Sequence, residues 1–127
     1  MVRKTQTLQE IAFPVVVEES RLCDDLRANL AIINKREDVL GYLLRNATTV
    51  TIDIKDSARI FEYAILSSQA MDSGKELSAL FNLGPIENVV IQGENVKVLC
   101  TVVGEQTVAV FAEKDANHVE ILKKVCQ

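Results

Sequence analysis

The stretch IENVVIQGENVKVLCTVVGEQTVAVFA, residues 86–112, decides the fold of this chain of 127 residues. It holds three runs rich in β-branched residues, 86–92, 95–103 and 106–112, and a Gly-Glu pair precedes the second and third runs. Glycine accepts the positive φ that the first position of a tight II′ turn requires, so Gly93-Glu94 and Gly104-Glu105 predict hairpin turns. The stretch therefore predicts three consecutive strands of an antiparallel sheet.

A long helix is predicted just before this meander. Asp56 or Ser57 can cap its start, and the sequence 83–85, Leu-Gly-Pro, follows its predicted end near Asn82. One stripe of this helix comprises Ile60, Ala64, Ser67, Met71, Gly74, Ser78 and Phe81, and Phe61 and Ile65 widen the stripe at its start. Small residues let another backbone come close, so the stripe is a candidate helix-to-helix contact. The alternative is that Gly74 only weakens the helix, by about 1 kcal/mol relative to Ala.

Three further segments complete the pattern. A helix is predicted from Ser20 to about Asn34, because apolar residues recur there at three- and four-residue steps. Two runs, 39–44 and 48–54, predict a hairpin whose second strand alternates apolar and polar residues and so has one buried face. A short C-terminal helix begins at Asp115 or Asn117, with Glu120 completing a capping box.

The resulting fold class is α+β, with the element order α-β-β-α-β-β-β-α. This order predicts a single five-stranded antiparallel sheet with helices on both faces. We divide the chain into an N-terminal arm, residues 1–17, and one domain, residues 18–127. Pro14 opposes a helix through the arm while its apolar residues need cover, so we expect the arm to dock on its own or on a partner subunit.

Composition excludes several classes of function. The net charge of −4 gives no overall attraction for nucleic acid or for anionic membranes. No apolar run is long enough for a membrane span, and none follows the signal-peptide pattern. Cys23, Cys100 and Cys126 are too widely spaced for a metal finger and too few to pair fully, so we expect reduced thiols and a cytoplasmic protein.

No residue set predicts catalysis, a cofactor or a metal. His118 lies near Asp115 and Glu120 in the sequence, but a histidine at an exposed helix start is usually a solvated surface group. The five glycines are scattered singly and form no Gly-rich loop that ends in Lys-Ser or Lys-Thr, so we expect no P-loop and no binding of GTP through one. We therefore expect no catalytic, cofactor-binding or metal-ligating residue.

Two segments carry a resemblance to a known family. These are LFNLGPIENVVIQGENVKVLCTVVGEQTVAVFAEKDAN, residues 80–117, and DVLGYLLRN, residues 38–46. They resemble the Roadblock superfamily, which is named for a dynein light chain and includes bacterial and archaeal partners of small GTPases. The sequence departs from the family pattern at Asn46-Ala47, where Asp-Gly is frequent, and at Val119, where Gly is common.

The resemblance implies a non-enzymatic, dimeric adaptor that binds a small GTPase or a related signalling or motor complex. The dimer would contain two identical chains or this chain and a paralogous subunit. In such a dimer the long helices pack side by side, and the strands at 86–92 pair edge to edge into a ten-stranded sheet. The interface residues it implies here are Ile60, Ala64, Ser67, Met71, Gly74, Ser78, Phe81, Val89, Val90 and Ile91.

Two other functions compete with this interpretation. Profilin-like α+β sheets can hold ligands between sheet and helix, so a small-molecule sensor domain is the main alternative. An enzyme is the weakest candidate, because no constellation of catalytic side chains is visible.

Overall fold

The computed structural model describes the backbone of residues 5–7 and 17–126 and the side chains of residues 25–126. Most of the predicted N-terminal arm therefore lies outside the described residues. The elements of the described part are, in chain order, β1 (Thr5–Thr7), α1 (Val17–Ile33), β2 (Val39–Arg45), β3 (Val50–Ile54), a 3₁₀ turn (Ser57–Arg59), α2 (Ile60–Phe81), β4 (Asn88–Gln92), β5 (Val96–Val103), β6 (Gln106–Glu113) and α3 (His118–Val125).

The strands form one antiparallel sheet in the spatial order β1-β3-β2-β6-β5-β4. The five strands that the sequence predicts are confirmed, together with the order of the helices between them. The addition is β1, which pairs with β3 through Thr5 opposite Asp53 and Thr7 opposite Thr51. The described piece of the arm thus lies on its own subunit.

Helices cover both faces of the sheet, as predicted. Helices α1 and α3 pack on one face, around the buried side chains Leu26, Leu30, Ile33, Leu99, Val110 and Ile121. Helix α2 packs on the other face, around Ile60, Tyr63, Met71, Val98, Cys100 and Phe111. The rings of Tyr63 and Phe111 stack with their centroids 4.6 Å apart. The meander 86–112 supplies both layers, because successive side chains of a strand point to opposite faces.

Strand β3 differs from its prediction, because both of its faces are buried. Ile52 and Ile54 lie under α2, and Thr51 and Asp53 are also buried. Thr51 lies opposite Leu44 of β2, which belongs to the layer under α1 and α3. The alternating polar residues therefore lie in a covered layer, since helices enclose the sheet on two sides.

The turns follow the sequence in two places and differ in one. Gly104 has a φ of 61° and begins a two-residue connection between β5 and β6, as predicted. The first connection spans three residues, 93–95, and Gly93 does not have a positive φ. The N–H of Gly93 instead donates to the carbonyl of Val96 at 2.9 Å. Asn117 caps α3 as predicted, with its side-chain oxygen 3.2 Å from the backbone nitrogen of Glu120.

The loop between β2 and β3 shows how Asn46 compensates for the missing Asp-Gly pair. Its side-chain oxygen accepts hydrogen bonds from the backbone N–H groups of Thr48 and Thr49, at 2.9 and 2.8 Å, and from both hydroxyls. The N–H of Asn46 donates to the carbonyl of Thr49 at 3.0 Å. A side-chain turn of this kind replaces the backbone turn that glycine would allow.

Candidate interaction surface

Helix α2 presents the predicted small-residue stripe to its own sheet. Four of the predicted interface residues are buried there: Ile60, Ser67, Met71 and Ser78. A Cβ placed on Gly74 would come within 2.7 Å of Cγ2 of Val89 in β4. The glycine therefore lets α2 lie close over the edge strand of its own subunit. The four buried side chains are not accessible to a second chain while the helix stays on the sheet.

The other side of α2 carries a second row of residues, spaced by four. We name it the α2 ridge, and its members are Phe61, Ile65, Gln69, Ser73, Leu77 and Phe81. All six are exposed. The four apolar members, in chain order, leave 83%, 58%, 52% and 68% of their surface in contact with solvent. Residues four apart lie on one ridge of a helix. The described structure thus exposes a continuous row of uncharged side chains.

The sequence predicts Phe61 and Ile65 only as a widening of the candidate contact stripe at its start, and it does not predict the ridge as a separate row. The signal was present in the spacing, because 61, 65, 77 and 81 are apolar and differ by multiples of four. A helix that packs one side on a sheet cannot also bury residues on its opposite side. Of the interface residues predicted on α2, only Phe81 is also a member of the α2 ridge.

Strand β4 forms the edge of the sheet beside this helix. Its one strand partner among the described residues is β5, so alternate peptide groups on its outer edge lack a ladder partner there. Ile91 lies opposite Val98, on the face that α2 covers, and Val90 lies opposite Leu99, on the other face. Val90 and Ile91 are exposed, whereas Val89 is half-buried under α2. An open apolar edge therefore adjoins the helix.

The C-terminal end of α2 is fixed by a left-handed turn. Asn82 adopts φ 54° and ψ 45°, and the N–H of Leu83 donates to the carbonyl of Ser78. The Ser78 hydroxyl donates to the carbonyl of Gly84. These bonds hold the last turn of the helix, and with it Phe81, in a defined position.

Lys97 and His118, two polar side chains that could act in catalysis, contact each other near the start of α3 in the described part of the chain. The Nζ atom of the buried Lys97 donates to the carbonyl of Ala116 at 2.8 Å and lies 3.5 Å from Nδ1 of His118. In the described part of the chain, the charged side chain that contacts His118 is thus Lys97 rather than Asp115 or Glu120. Sequence reasoning did not identify Lys97, since a lysine within a strand predicts a solvent-exposed position.

The two described thiols differ in environment. Cys100 is buried, and burial raises the pKa of its thiol to about 11, so the neutral form persists at physiological pH. Cys126 is exposed at the end of α3. Among the described side chains, residues 25–126, no group of three His, Cys, Asp or Glu could hold a metal ion. No helix in these ranges is both long and apolar enough to cross a bilayer.

One arginine links the two helices on the other face of the sheet. Arg36 follows α1 and binds both carboxylate oxygens of Asp38 at 2.9 Å and Glu120 of α3 at 2.7 Å. The hydrogen bond from Arg36 holds the pKa of the Asp38 carboxyl below its usual value. The nearby Lys55 Nζ donates to the carbonyls of Arg36 and Val39 at 2.8 and 2.6 Å. These contacts fix the loop that joins α1 to β2.

Comparison with known proteins identifies the architecture. No family model and no curated protein matches the chain. Among solved structures, a Roadblock/LC7 domain from Streptomyces avermitilis is similar over 77% of this chain and 86% of its own, with 14% identity and a TM-score of 0.64. MglC from Myxococcus xanthus is similar over 80% of this chain and 93% of its own, with 18% identity and a TM-score of 0.53. The resemblance inferred from residues 38–46 and 80–117 is confirmed at the level of architecture, and the chain has the Roadblock/LC7 fold.

Proposed function

We propose that this protein is a non-enzymatic adaptor that works as a homodimer in the cytoplasm, joined through the α2 ridge and the edge of β4. The observation that carries the proposal is the ridge itself. Isolated exposed apolar residues are ordinary on protein surfaces, but four large apolar side chains on one uncharged helix ridge indicate an interaction site. The row lies on the described surface and needs no rearrangement of the subunit to be reached.

The order of residues in the ridge supports a second copy of this chain as its partner. Along the helix the ridge is apolar, apolar, polar, polar, apolar and apolar, so it has the same pattern from either end. Such a pattern suits a two-fold interface between antiparallel helices, because each half of one helix meets the opposite half of the other and apolar residues then face apolar residues. Gln69 and Ser73 would then lie beside the axis, with Ile65 against Leu77 of the second copy.

Packing geometry supports the same arrangement. Ridges formed by residues four apart interdigitate when two helix axes are inclined by about 50°. The two central residues of the ridge are Gln69 and Ser73. The amide of Gln69 and the hydroxyl of Ser73 can form hydrogen bonds across the two-fold axis. The flanking Ile65 and Leu77 are about half exposed and would lose that exposure to water.

The edge of β4 supplies the second part of the proposed interface. Pairing of β4 with β4 of a second copy would satisfy the outward peptide groups and cover Val90 and Ile91. Of the residues that the sequence singled out, this interface keeps Phe81, Val89, Val90 and Ile91. It replaces the buried part of the helical stripe with the α2 ridge.

We infer a GTPase-related protein as the partner of the dimer. The support is the resemblance to the Roadblock superfamily, whose members include partners of small GTPases. The adaptor function is further supported by the structural contacts of Lys97 and by the burial of Cys100, which give neither group a catalytic setting. A paralogous subunit in place of the second copy is the variant of this proposal that the resemblance also allows.

Two measurements test the proposal in sequence. Sedimentation equilibrium of the purified chain at micromolar concentration is expected to give the mass of a dimer; a monomer at that concentration would contradict it. The chain is then used to capture proteins from its native organism, and any GTPase found is purified and loaded with GDP or with a non-hydrolysable GTP analogue. Direct binding that differs between the two nucleotides is expected, and binding of no GTPase would refute the partner assignment.

A further inference from the structure

A groove of about 530 Å³ lies between the C-terminal end of α1 and helix α3. Its apolar wall consists of Ile33 and Ile121, which are buried, and Ile32, which is 50% exposed. Lys123 and Lys124 line it from the last turn of α3, and the ion pair between Arg36 and Glu120 completes the lining. The groove therefore combines an apolar wall with a cationic margin.

The charge of this margin is available to a ligand. Arg36 is already matched by Asp38 and Glu120. In the part of the chain that the structure describes, neither Lys123 nor Lys124 has a carboxylate within ion-pair distance. The whole chain carries a net charge of −4. Two ammonium groups without a paired carboxylate thus make the charge beside the groove positive, although the net charge of the chain is negative.

We propose that the groove binds an amphipathic helix with acidic flanks, supplied by a partner protein. The apolar face of that helix packs on Ile32, the exposed apolar side chain of the groove, above the floor formed by the buried Ile33 and Ile121, and its carboxylates pair with Lys123 and Lys124. Helix-in-groove recognition uses apolar anchors one turn apart. A pocket for a small molecule encloses most of its ligand. Here half of Ile32 and the Lys123 side chain stand open to solvent, so the shape suits a helix laid along the groove.

The groove is independent of the proposed dimer interface. Helices α1 and α3 cover one face of the sheet, and α2 covers the other. Association through the α2 ridge leaves both grooves of a dimer open. The inference therefore goes beyond the adaptor proposal, and either can fail without the other.

The test uses a fluorescein-labelled helical peptide of about 18 residues, with Leu on one face and Glu beside it. Fluorescence anisotropy with the full chain is expected to give saturable binding that weakens with added salt, because the charged margin is exposed to solvent. A second peptide replaces every Glu with Lys, and a third scrambles the order of the first. Both are expected to bind at least about tenfold more weakly.

Two pairs of variants locate the site. Lys123→Glu with Lys124→Glu is expected to weaken binding about tenfold or more, while Lys75→Glu with Lys114→Glu makes the same charge change elsewhere and is expected to leave it within about twofold. Ile32→Glu is expected to abolish binding. Val119→Glu, at 53% exposure on α3 and outside the groove, is its matched control.

Several outcomes would overturn the inference. These are equal binding of the Lys peptide, binding that survives Ile32→Glu, or no binding of the acidic peptide below about 100 µM. Laurate is measured in parallel by thermal shift. A rise in melting temperature with laurate that Ile32→Glu removes, without peptide binding, would assign the groove to a small amphiphile instead.

Discussion

Truncation of Leu77 tests the proposed dimer most directly. Full burial of a leucine side chain is worth about 1.5–3 kcal/mol, and Leu77 leaves 52% of its surface exposed in the single subunit. Covering that exposed half in a dimer is therefore worth about 1 kcal/mol. Each substitution occurs twice in a two-fold dimer, so Leu77→Ala is expected to cost about 2 kcal/mol of association free energy, or about 30-fold in Kd.

A charge at the same position is expected to have a larger effect. Leu77→Glu would place a carboxylate against Ile65 of the second copy, and burial of an unpaired charge costs several kcal/mol. Two copies of that cost, added to the lost apolar contact, would weaken association by more than about a thousandfold. The variant is expected to be a folded monomer at micromolar concentration.

The assay is sedimentation velocity over a concentration series, with circular dichroism to show that each variant is folded. Val119→Glu is the matched control, because Val119 is 53% exposed and lies on α3, on the other face of the sheet. It is expected to remain a dimer. A dimer of Leu77→Glu, or equally ready dissociation of Val119→Glu, would contradict an interface at the α2 ridge.

Three further predictions concern stability, measured by urea unfolding. Asn46→Ala removes an acceptor of two backbone hydrogen bonds and is expected to cost about 1 kcal/mol; an unchanged midpoint would contradict the role of its side chain. Gly41→Ala would bring a Cβ within 2.5 Å of the carbonyl oxygen of Asp53 at a bulge, and a loss of at least about 2 kcal/mol is expected; a loss under about 0.5 kcal/mol would show that the strand can shift. The folded Cys100 thiol holds its proton to about pH 11, whereas the unfolded thiol loses it near 9. The stability of the wild type relative to Cys100→Ala is therefore expected to fall between these values, by about 2–3 kcal/mol, and a constant difference would be the contrary result.

Most of the fold could be predicted because local signals agreed with the final architecture. Successive residues of the meander 86–112 point alternately into the two buried layers. Asn117 caps α3, as its position in the sequence predicts. Strand β1 could not be predicted, since Thr5–Thr7 carries no apolar pattern and is defined by its pairing with β3. Gly93 looked like Gly104, but the first connection has an additional residue.

Which side of α2 is exposed was harder to predict than the fold. Two apolar rows run along α2, and the sequence alone does not state which row the sheet covers. The small residues suggested a close approach, which the structure shows to be an approach of Gly74 to Val89 within one subunit. Tertiary packing determines which side of α2 faces the sheet, because Tyr63 and Met71 fill the layer above Phe111. Exposure then identified the other row.

The unequal edges of the sheet bear on how assembly stops. Among the described residues, one edge is the three-residue β1, which offers few peptide groups to another sheet, and the other is the longer, apolar β4. A chain with two good edges could add subunits without limit and grow into fibres. In the proposed dimer, pairing of β4 with itself would occupy this edge on both molecules, so the described residues would leave no apolar edge for a third subunit.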